Sequence, residues 1–252
     1  MAERKFTQLL EPRICVALTA YNDEESIYDA AKDFSKQKHV IKVIAVDNNS
    51  HDLTSKKASE AGADVALEKQ QGYGFACIRG LREALRVEGA NVIVLSEGDG
   101  TFSGNDIDKL LPYLDNVDMV LGNRLVYGLA DRDSQLDHFL AWGNWFLAKL
   151  IQFKYWDSKF WGKTRLHDVG CTFRMVKREA LEKIIDQFTV GSYHFSPHMI
   201  MVAIANGLSV IEVPVTFHKR VGKSKGAGHS RIRATRIGLQ MLWHIVTYRK
   251  SR

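Results

Sequence analysis

The sequence is poor in cysteine, has no long apolar run and has no acidic residue beyond Glu212. Its three cysteines lie far apart without CxxC spacing, which argues against a disulfide framework or a zinc site and favours a reducing cytoplasm. No apolar segment approaches the roughly 18 residues that a membrane-spanning helix needs. Charges lie where a signal peptide would be apolar, so we expect residues 1–13 to be a flexible N-terminus and not a secretion signal.

The missing acids leave the C-terminal end strongly basic. Ten Lys or Arg residues lie between Phe217 and Arg252, whereas the first 216 residues carry 25 basic and 29 acidic side chains. A basic tail of this kind usually binds phosphate on nucleic acid, on a lipid surface or on a small substrate. The composition of the 252 residues, 45% hydrophobic and 25% charged, is that of a globular protein with a sizeable core.

Short β-branched runs alternate with helical patterns through the first half of the chain. The runs lie at residues 14–18, 40–46, 63–67, 91–95 and 118–122. This alternation predicts a doubly wound, mostly parallel α/β sheet that is covered on both faces. Ligands of such sheets bind at the carboxyl ends of the strands, which here are TAYNDEE (19–25), DNNSHD (47–52), SEGDGT (96–101) and GNR (122–124).

The second half of the chain is rich in aromatic residues. A helical pattern over residues 136–153 is interrupted by Gly143, and four of the five tryptophans fall between residues 142 and 161, at positions 142, 145, 156 and 161. Such a helix is typical of a membrane interface, but an aromatic core helix or a dimer seam is the alternative. Residues 208–215 predict a further strand, in which Pro214 indicates an edge or the end of the strand. A basic amphipathic helix is expected over 232–248.

Two carboxylates follow the fourth predicted strand. Glu97 and Asp99 are two residues apart, so both side chains should project to the same side. Like charges held so close are tolerable only with a cation between them, and so few oxygen ligands suit Mg²⁺ or Mn²⁺ shared with substrate phosphates. Gly98 and Gly100 leave room for a ligand near the backbone. Acidic turns after strands are also common without a ligand, so a plain turn stays open.

Two glycine-rich stretches indicate anion binding. GYGFACIRG (72–80) leads into a helix, but it lacks the third glycine of a dinucleotide fingerprint and follows the third strand, not the first. RVGKSKGAG (220–228) combines Arg220, Lys223 and Lys225 with three glycines, as a flexible phosphate-binding loop would. It lacks the spacing of a P-loop NTPase, and a solvated linker is its alternative.

Taken in order, seven motifs resemble those of the family 2 glycosyltransferases of GT-A fold, in the branch of dolichol-phosphate mannose and glucose synthases. They cover roughly residues 14–225 and read TAYNDEE, VDNNSHD, GYGFACIRGL, SEGDGT, LGNR, DVGCTFR (168–174) and PVTFHKRVGKSK. The resemblance implies a GT-A catalytic domain over 14–215, which includes the aromatic helix, and a basic loop with an amphipathic helix over 216–252. It also implies an enzyme that transfers a hexose from a nucleotide sugar to a polyprenyl phosphate with Mg²⁺ or Mn²⁺.

The resemblance assigns roles to individual residues. The metal motif corresponds to Glu97, Asp99 and Thr101, and the acceptor phosphate site to Arg124 and Arg132. Residues expected to bind the nucleotide sugar are Thr19, Tyr21, Asp23, Asp47, Gly72, Gly74, Glu97 and Lys225. Asp168 corresponds to an acid near the sugar, and Arg220 with Lys225 corresponds to a mobile loop that closes over the donor diphosphate. The residues expected to be catalytic are Asp99, Arg124, Asp168 and Arg220.

The chain departs from the family pattern at several of these positions. Thr19 replaces a usual proline, Asn48 a common aspartate, Glu97 the first metal aspartate and Thr101 a glutamine. We therefore expect Asp99 to bind the metal directly and Glu97 to bind it through water. His198 lies where relatives often carry an acid, which leaves the sugar preference open.

The resemblance also sets expectations for mechanism and location. A phosphate monoester is mostly a dianion at neutral pH, so an inverting in-line displacement needs no strong general base. We expect peripheral association with the cytoplasmic face of an anionic membrane, with Arg231, Arg233 and Arg236 at the headgroups. A transferase with a soluble glycan or metabolite acceptor is the alternative. The acidic crevice argues against a nucleic-acid-binding module. The sequence does not decide whether the protein is a homo-oligomer.

Overall fold

The computed structural model describes residues 11–126, 128–156, 164–222 and 230–249. Within these ranges the chain forms one seven-stranded sheet with helices on both faces. The strands are β1 (Ile14–Ala20), β2 (Val40–Asp47), β3 (Asp64–Leu67), β4 (Val92–Glu97), β5 (Met119–Asn123), β6 (Arg174–Lys177) and β7 (Val210–Pro214). The α-helices are α1 (Ile27–Ser35), α2 (Thr54–Glu60), α3 (Tyr73–Arg86), α4 (Ile107–Leu110), α5 (His138–Lys154), α6 (Arg178–Glu182), α7 (Phe195–Ala205) and α8 (Arg231–Thr247).

The sheet is mixed but mostly parallel. Its strand order is β3-β2-β1-β4-β6-β5-β7, and β1 pairs in parallel with both β2 and β4. Only β6, among the strands of the described residues, runs antiparallel, to β4 on one side and β5 on the other. The prediction of a doubly wound, mostly parallel sheet is confirmed. β7 lies at an edge and ends at Pro214, as its proline indicated.

The register of the parallel strands gathers the polar turns at one edge of the sheet. Thr19 lies beside Glu97 on β4, and Ala20 lies beside Asp47 on β2. All seven residues of β1 are buried, so this central strand is a near-continuous apolar run that ends directly in the polar edge. The base of the predicted crevice at the carboxyl ends of the strands is therefore formed by a fully buried central strand.

Two hydrophobic cores cover the two faces of the sheet. One face packs against apolar residues of α3, α5, α7 and α8, including Leu81, Ile151 and Met199. The other face packs against α1, α2 and α4 through Phe34 and Ile107 among others. Helix α1 begins at Ile27, and the carbonyl of Asp23 accepts hydrogen bonds from the amides of Ser26 and Ile27 in the turn that leads into it.

Helices α5 and α8 are joined at their C-terminal ends. The ammonium of Lys154 at the end of α5 donates to the carbonyl oxygens of Ile245 (2.5 Å) and Tyr248 (2.6 Å) at the end of α8. These carbonyls have no partner within their own helix, so the lysine both satisfies them and complements the helix dipole. The lysine therefore joins the ends of the two helices, which together we call the platform.

The aromatic side chains of α5 point outward. Its buried residues are Leu147, Ala148 and Ile151, whereas Trp142 and Phe153 are 60% and 79% exposed. We call the exposed set the aromatic face; it comprises Phe139, Trp142, Trp145, Phe146, Phe153 and Trp156. The alternative of an aromatic core helix is wrong, and Trp161 lies outside the described residues.

Helix α8 also carries exposed apolar residues. We call them the outer stripe, and they are Ile232, Leu239, Trp243 and Val246. Its opposite side packs into the core through Ala234, Ile237, Met241 and Ile245. None of the described helices is both long and apolar enough to cross a membrane.

Candidate active site

A cavity of about 860 Å³ lies at the carboxyl ends of the strands. All four predicted strand ends line it, through Thr19, Tyr21, Asp23, Asn48, Glu97, Asp99 and Arg124. Its far wall comes from α5 and α8 and from residues around 192–196, which pack against the glycine-rich start of α3. The cavity is therefore polar over the sheet edge and apolar between the two helices, where Leu140, Ile237 and Met241 line it.

Arg220 ties the acidic residues of the cavity together. Its Nη1 donates to Asp99 Oδ2 at 2.6 Å and its Nη2 to Asp23 Oδ1 at 2.8 Å. The other Asp99 oxygen accepts from the backbone amide of Thr101 (3.0 Å) and from its hydroxyl (2.6 Å). Both oxygens of Asp99 thus accept hydrogen bonds. The sequence predicted a cation beside this acid, and in the protein alone that cation is the guanidinium of Arg220.

Glu97 is the less well compensated of the two acids. Burial, followed by the nearby charge of Asp99, raises the pKa of Glu97 to about 8, and Arg220 offsets this only in part. In the protein alone, its neutral form is therefore favoured more than that of an exposed carboxyl. A bound cation would stabilise the ionised form of Glu97, which lacks the direct arginine contact that Asp99 has.

Two glycines shape the turn after β4, and the backbone conformation requires glycine at the second of them, Gly100. A Cβ on Gly98 would lie 2.3 Å from Cδ1 of Ile27, and its amide donates to the carbonyl of Thr19 at 2.9 Å. Gly100 has a φ of +79°, a conformation that residues with side chains rarely adopt. These constraints pull the turn against β1 and α1, which holds Asp99 in the cavity.

The residues present fit a divalent cation only as a shared site. The described residues contain no group of three or more His, Cys, Asp or Glu side chains that could hold a metal ion. Glu97 and Asp99 supply hard oxygens, which suit Mg²⁺ or Mn²⁺, but two side chains leave most coordination positions to a ligand such as a diphosphate. Thr101 hydrogen-bonds to Asp99, so its role here is to orient that acid.

Asp168 holds Arg124 in place. The arginine donates to both Asp168 oxygens, from Nε and Nη2 at 2.8 Å each, and its backbone amide donates to Oδ2 at 3.0 Å. Burial alone would raise the pKa of Asp168, but the guanidinium and the hydrogen bonds hold it below the usual value. Asp168 is fully buried and does not line the cavity, so its observed role is to position Arg124.

A buried arginine shapes the segment that carries Asp168. Arg174 is only 1% exposed, and its Nε and Nη2 donate to the carbonyl oxygens of Cys171 (3.1 Å) and Val169 (3.2 Å). The backbone of the DVGCTFR motif therefore curves around the side chain of Arg174, the last residue of the motif. The wrapped turn places Thr172 at the cavity wall.

The predicted site residues divide into three groups. Those that line the cavity are Thr19, Tyr21, Asp23, Gly72, Glu97, Asp99, Arg124 and Arg220. Those that lie outside its lining are Asp47, Gly74, Thr101, Arg132 and Asp168. Lys225 lies outside the described residues.

Three of the residues outside the lining have other contacts. Asp47 accepts from the amide of Ser50 and the hydroxyl of Ser55, and Gly74 packs against the backbone of Gly191. Arg132 is exposed, in a segment whose neighbour Asp131 binds Lys219. The structure therefore does not bring Arg132 together with Arg124.

His198 also points away from the cavity. It is buried between α7 and α8, with Nδ1 3.0 Å from Nε2 of His244 and Nε2 3.2 Å from the carbonyl oxygen of Gln187. Although relatives often carry an acid at this position, this side chain is not placed to contact a sugar in the cavity.

Several lining residues were missed by sequence reasoning. Tyr73 and Tyr193 stack with ring centroids 5.9 Å apart, and Asn144 of α5 and Thr172 line the wall near Arg124. Arg233 was assigned to the membrane surface but lines the cavity. These residues come together through contacts distant in sequence, and the one local signal was the clustering of glycines at 72, 74 and 191.

Comparison with known proteins identifies the class of enzyme that this fold and site define. The family model "Glycosyl transferase family 2" matches residues 15–185. The chain therefore belongs to glycosyl transferase family 2 and is a glycosyltransferase of the GT-A fold.

Two curated relatives are named for lipid-phosphate acceptors. The chain is 32% identical to polyprenol monophosphomannose synthase of Mycolicibacterium smegmatis, over 86% of this chain and 82% of that protein. It is 28% identical to dolichyl-phosphate hexose transferase of Haloferax volcanii, over 84% of this chain and 86% of that protein.

A solved structure has the same fold. Glucosyl-3-phosphoglycerate synthase of Mycobacterium tuberculosis, in complex with Mn²⁺, UDP and glucosyl-3-phosphoglycerate, matches with a TM-score of 0.68. The sequences are 16% identical, and the match covers 94% of this chain and 79% of the other. At this identity the likeness establishes the fold.

Proposed function

We propose that the protein transfers a hexose, with inversion, from a UDP-glucose- or GDP-mannose-type donor to a polyprenyl or dolichyl phosphate. The observation that carries the proposal is a single cavity that joins an acid–arginine cluster to an apolar end between α5 and α8. A nucleotide diphosphate and a lipid phosphate need these two environments side by side. The names of the two curated relatives support the same acceptor class.

The donor side uses the sheet edge. Thr19, Tyr21 and Asp23 would contact the nucleoside, and Arg220 would stabilise the charge that develops on the leaving diphosphate. A bound Mg²⁺ or Mn²⁺, held by Asp99 and Glu97, would supply further neutralisation of that charge. The Mn²⁺ and UDP in the solved structure of the same fold support this assignment. Lys225, outside the described residues, keeps its proposed role beside Arg220.

The acceptor side uses Arg124. Because Asp168 binds Nε and Nη2 of Arg124, the guanidinium lines the cavity in one orientation, and its Nη1 N–H groups are left to donate to a phosphate oxygen. A phosphate dianion oriented there needs no proton removed before it attacks the anomeric carbon. Positioning and charge stabilisation are therefore the contributions expected of the protein.

The membrane side uses the aromatic face and the outer stripe. Both sets of apolar side chains are exposed, on two helices joined through Lys154. Arg236 lies in the same groove as the outer stripe, where a cation would meet anionic headgroups. We propose that this platform lies on the cytoplasmic membrane surface. Flotation with anionic vesicles at low salt tests it, and a protein that stays entirely in the soluble fraction contradicts it.

A donor panel tests the reaction. The purified protein is incubated in detergent with a polyprenyl phosphate, Mg²⁺ or Mn²⁺, and UDP-glucose, GDP-mannose or UDP-GlcNAc in turn. We expect one donor to give a metal-dependent glycosyl lipid. Absence of lipid product with every donor, together with transfer to a soluble acceptor, would support the second candidate below.

The second candidate is transfer to a soluble phosphorylated or glycan acceptor. It is favoured by the fold shared with a protein crystallised with glucosyl-3-phosphoglycerate. Such an enzyme needs the same donor site but has no use for the aromatic face. The exposed tryptophans therefore discriminate between the two candidates.

A further inference from the structure

Two arginines near the start of α8 face different surroundings. Arg236 lines the outer groove with Ile232, Leu239 and Trp243, whereas Arg233 lines the catalytic cavity together with Ile237 and Met241. Residues 233, 237 and 241 are four apart and so share one side of the helix. The basic helix thus presents one cation to the cavity and another to the surface.

Arg233 is held beside the cavity by an aromatic pair. The centre of its guanidinium lies 6.0 Å from the ring centroid of Tyr193, and that ring stacks on Tyr73 at an interplanar angle of 4°. A cation at this distance is attracted by the face of the ring. The stacked tyrosines therefore restrict where the flexible arginine side chain can lie.

The charge of Arg233 is not neutralised by an acid. Arg124 and Arg220 are paired with Asp168 and with Asp99 and Asp23 respectively. Within the described ranges no carboxylate lies within 4.0 Å of Arg233 in an ion pair. Of these three arginines, it is the one whose full charge is available to an anionic ligand.

An unpartnered hydroxyl lines the same cavity. Thr172 is 7% exposed, and its Oγ1 has no hydrogen-bond partner among the described residues. A buried hydroxyl without a partner costs free energy that a ligand oxygen can recover. Thr172 lies two residues after Gly170, whose backbone contacts the guanidinium of Arg124, and all three residues line this cavity.

We propose that Arg233 and Thr172 complete, with Arg124, a binding site for the phosphate monoester of the acceptor. This inference rests on the proposed function for the identity of the acceptor, but its chemistry is that of any phosphate monoester, whether on a prenyl chain or on a soluble metabolite. It replaces Arg132, which lies outside the cavity lining, with an arginine carried by the membrane-facing helix. Acceptor binding is then coupled to the packing of α8 on the cavity.

The test measures binding of farnesyl phosphate in detergent by calorimetry, with farnesol as the probe that lacks phosphate. Arg233→Ala should weaken farnesyl phosphate binding by about 10- to 100-fold, as expected for loss of a charge-assisted contact, and Arg233→Lys should recover part of it. Thr172→Val keeps the side-chain shape and should weaken binding by about fivefold. Binding of farnesol and the KM for the donor should not change in any of these variants.

Two control variants separate this role from general effects. Arg82→Ala removes an exposed arginine of α3 that pairs with Asp186, and its phosphate affinity should match the wild type. Arg236→Ala should lower flotation with anionic vesicles, whereas Arg233→Ala should not. Equal loss of farnesyl phosphate affinity in Arg233→Ala and Arg82→Ala, or no loss in Arg233→Ala, would overturn the inference.

Failure of the proposed function gives a different result. If glycerol 3-phosphate, and not farnesyl phosphate, binds in a way that depends on Arg233, the phosphate site stands and the lipid acceptor is wrong. If farnesyl phosphate is glycosylated equally well by wild type and Arg233→Ala at limiting acceptor, the lipid acceptor stands and the site proposed here is wrong.

Discussion

At the scale of single residues, an arginine of the protein itself compensates two of the acids in the cavity. Arg220 lies between Asp99 and Asp23, where it fills the place that a ligand cation would take at Asp99. Binding of a nucleotide sugar would let Arg220 exchange its contact with Asp99 for one with the diphosphate. The two acids of SEGDGT therefore differ: Asp99 has an ordered set of partners, and Glu97 is largely uncompensated.

That difference predicts unequal effects of mutation. Asp99→Ala should reduce kcat/KM for transfer by more than about 100-fold, because it removes both the proposed metal ligand and a partner of Arg220. Glu97→Asp should retain measurable transfer, since the shorter acid keeps the oxygen ligands. Steady-state rates with Mn²⁺ are the measurement, and Asp99→Asn, which keeps the side-chain volume, is the control for packing. An inactive Glu97→Asp together with an active Asp99→Ala would reverse the assignment.

A second residue-scale prediction concerns stability. Asp168→Ala should lower the free energy of unfolding by about 3–5 kcal/mol, because it leaves the guanidinium of Arg124 buried without its counter-ion. Glu182→Ala, which breaks the half-exposed pair with Arg178, should cost only about 0–1 kcal/mol. Urea unfolding followed by circular dichroism measures both. Similar losses for the two variants would show that the Arg124–Asp168 pair is not acting as a buried ion pair.

At the scale of elements, the histidines between α7 and α8 make the packing of α8 sensitive to pH. Burial lowers the pKa of both His198 and His244 to about 4. The hydrogen bond with the carbonyl of Gln187 partly offsets this for His198 and His194 adds to it, whereas His198, His194 and Lys154 all lower the pKa of His244 further. An unfolded histidine titrates near 6.5, so between pH 6.5 and 4 the unfolded chain binds more protons than the folded one. The stability that comes from packing these two histidines in their neutral form is fully present above pH 6.5. It is lost as the pH falls toward 4.

This linkage predicts the slope of stability against pH. Between pH 6.5 and 5, each fully neutral buried histidine contributes at most about 1.4 kcal/mol per pH unit, and the half-buried His244 contributes less. His244→Gln should therefore flatten the fall in melting temperature between pH 7 and pH 5 relative to the wild type. An unchanged slope in the variant would show that this pair does not control the pH dependence.

The aromatic face gives a second prediction at the scale of elements. Replacing Trp142 and Trp145 by Gln should lower transfer to a polyprenyl phosphate in vesicles by about tenfold or more, since both rings are exposed and amphipathic. Transfer to farnesyl phosphate in detergent is the matched control and should be retained. If vesicle activity does not change, the face has another role and the soluble-acceptor candidate gains support.

Local sequence patterns could predict some elements of this fold but not others. β1 to β5 and the long α3, α5 and α8 carry clear periodicity or flanking signals. α7 does not, because ten of its 11 residues, 195–204, are buried and an apolar helix without a polar face gives no amphipathic pattern. β6 has only four residues and is antiparallel to its neighbours, whereas the strand–helix alternation of the sequence indicates parallel strands. No local pattern therefore predicts it.

The site shows the same division. The wall formed by strand ends could be predicted, because turns after parallel strands always meet at one edge. The opposite wall could not, since Asn144, Tyr193 and Arg233 reach the cavity only through the packing of α5, α7 and α8. Asp168 was expected near the sugar, and only the structure shows that both oxygens of its carboxylate bind Arg124.

At the scale of the whole molecule, charge and apolar surface are arranged around one cavity. The slightly acidic body supplies the sheet edge, and the basic C-terminal part covers it with Arg220 and Arg233. The apolar surfaces of α5 and α8 lie beside the apolar end of the same cavity. A substrate with a phosphate head and a hydrocarbon chain could therefore bind with its head in the cavity and its chain in a membrane.

One measurement tests this account most directly. With the best donor and metal, equal concentrations of a polyprenyl phosphate, the corresponding prenol and 3-phosphoglycerate are offered as acceptors in detergent, and the anomeric configuration of the product is read by NMR. We predict transfer to the polyprenyl phosphate alone, with a β-linked product from an α-linked donor. Preferential transfer to 3-phosphoglycerate, or an α-linked lipid product, would contradict the account.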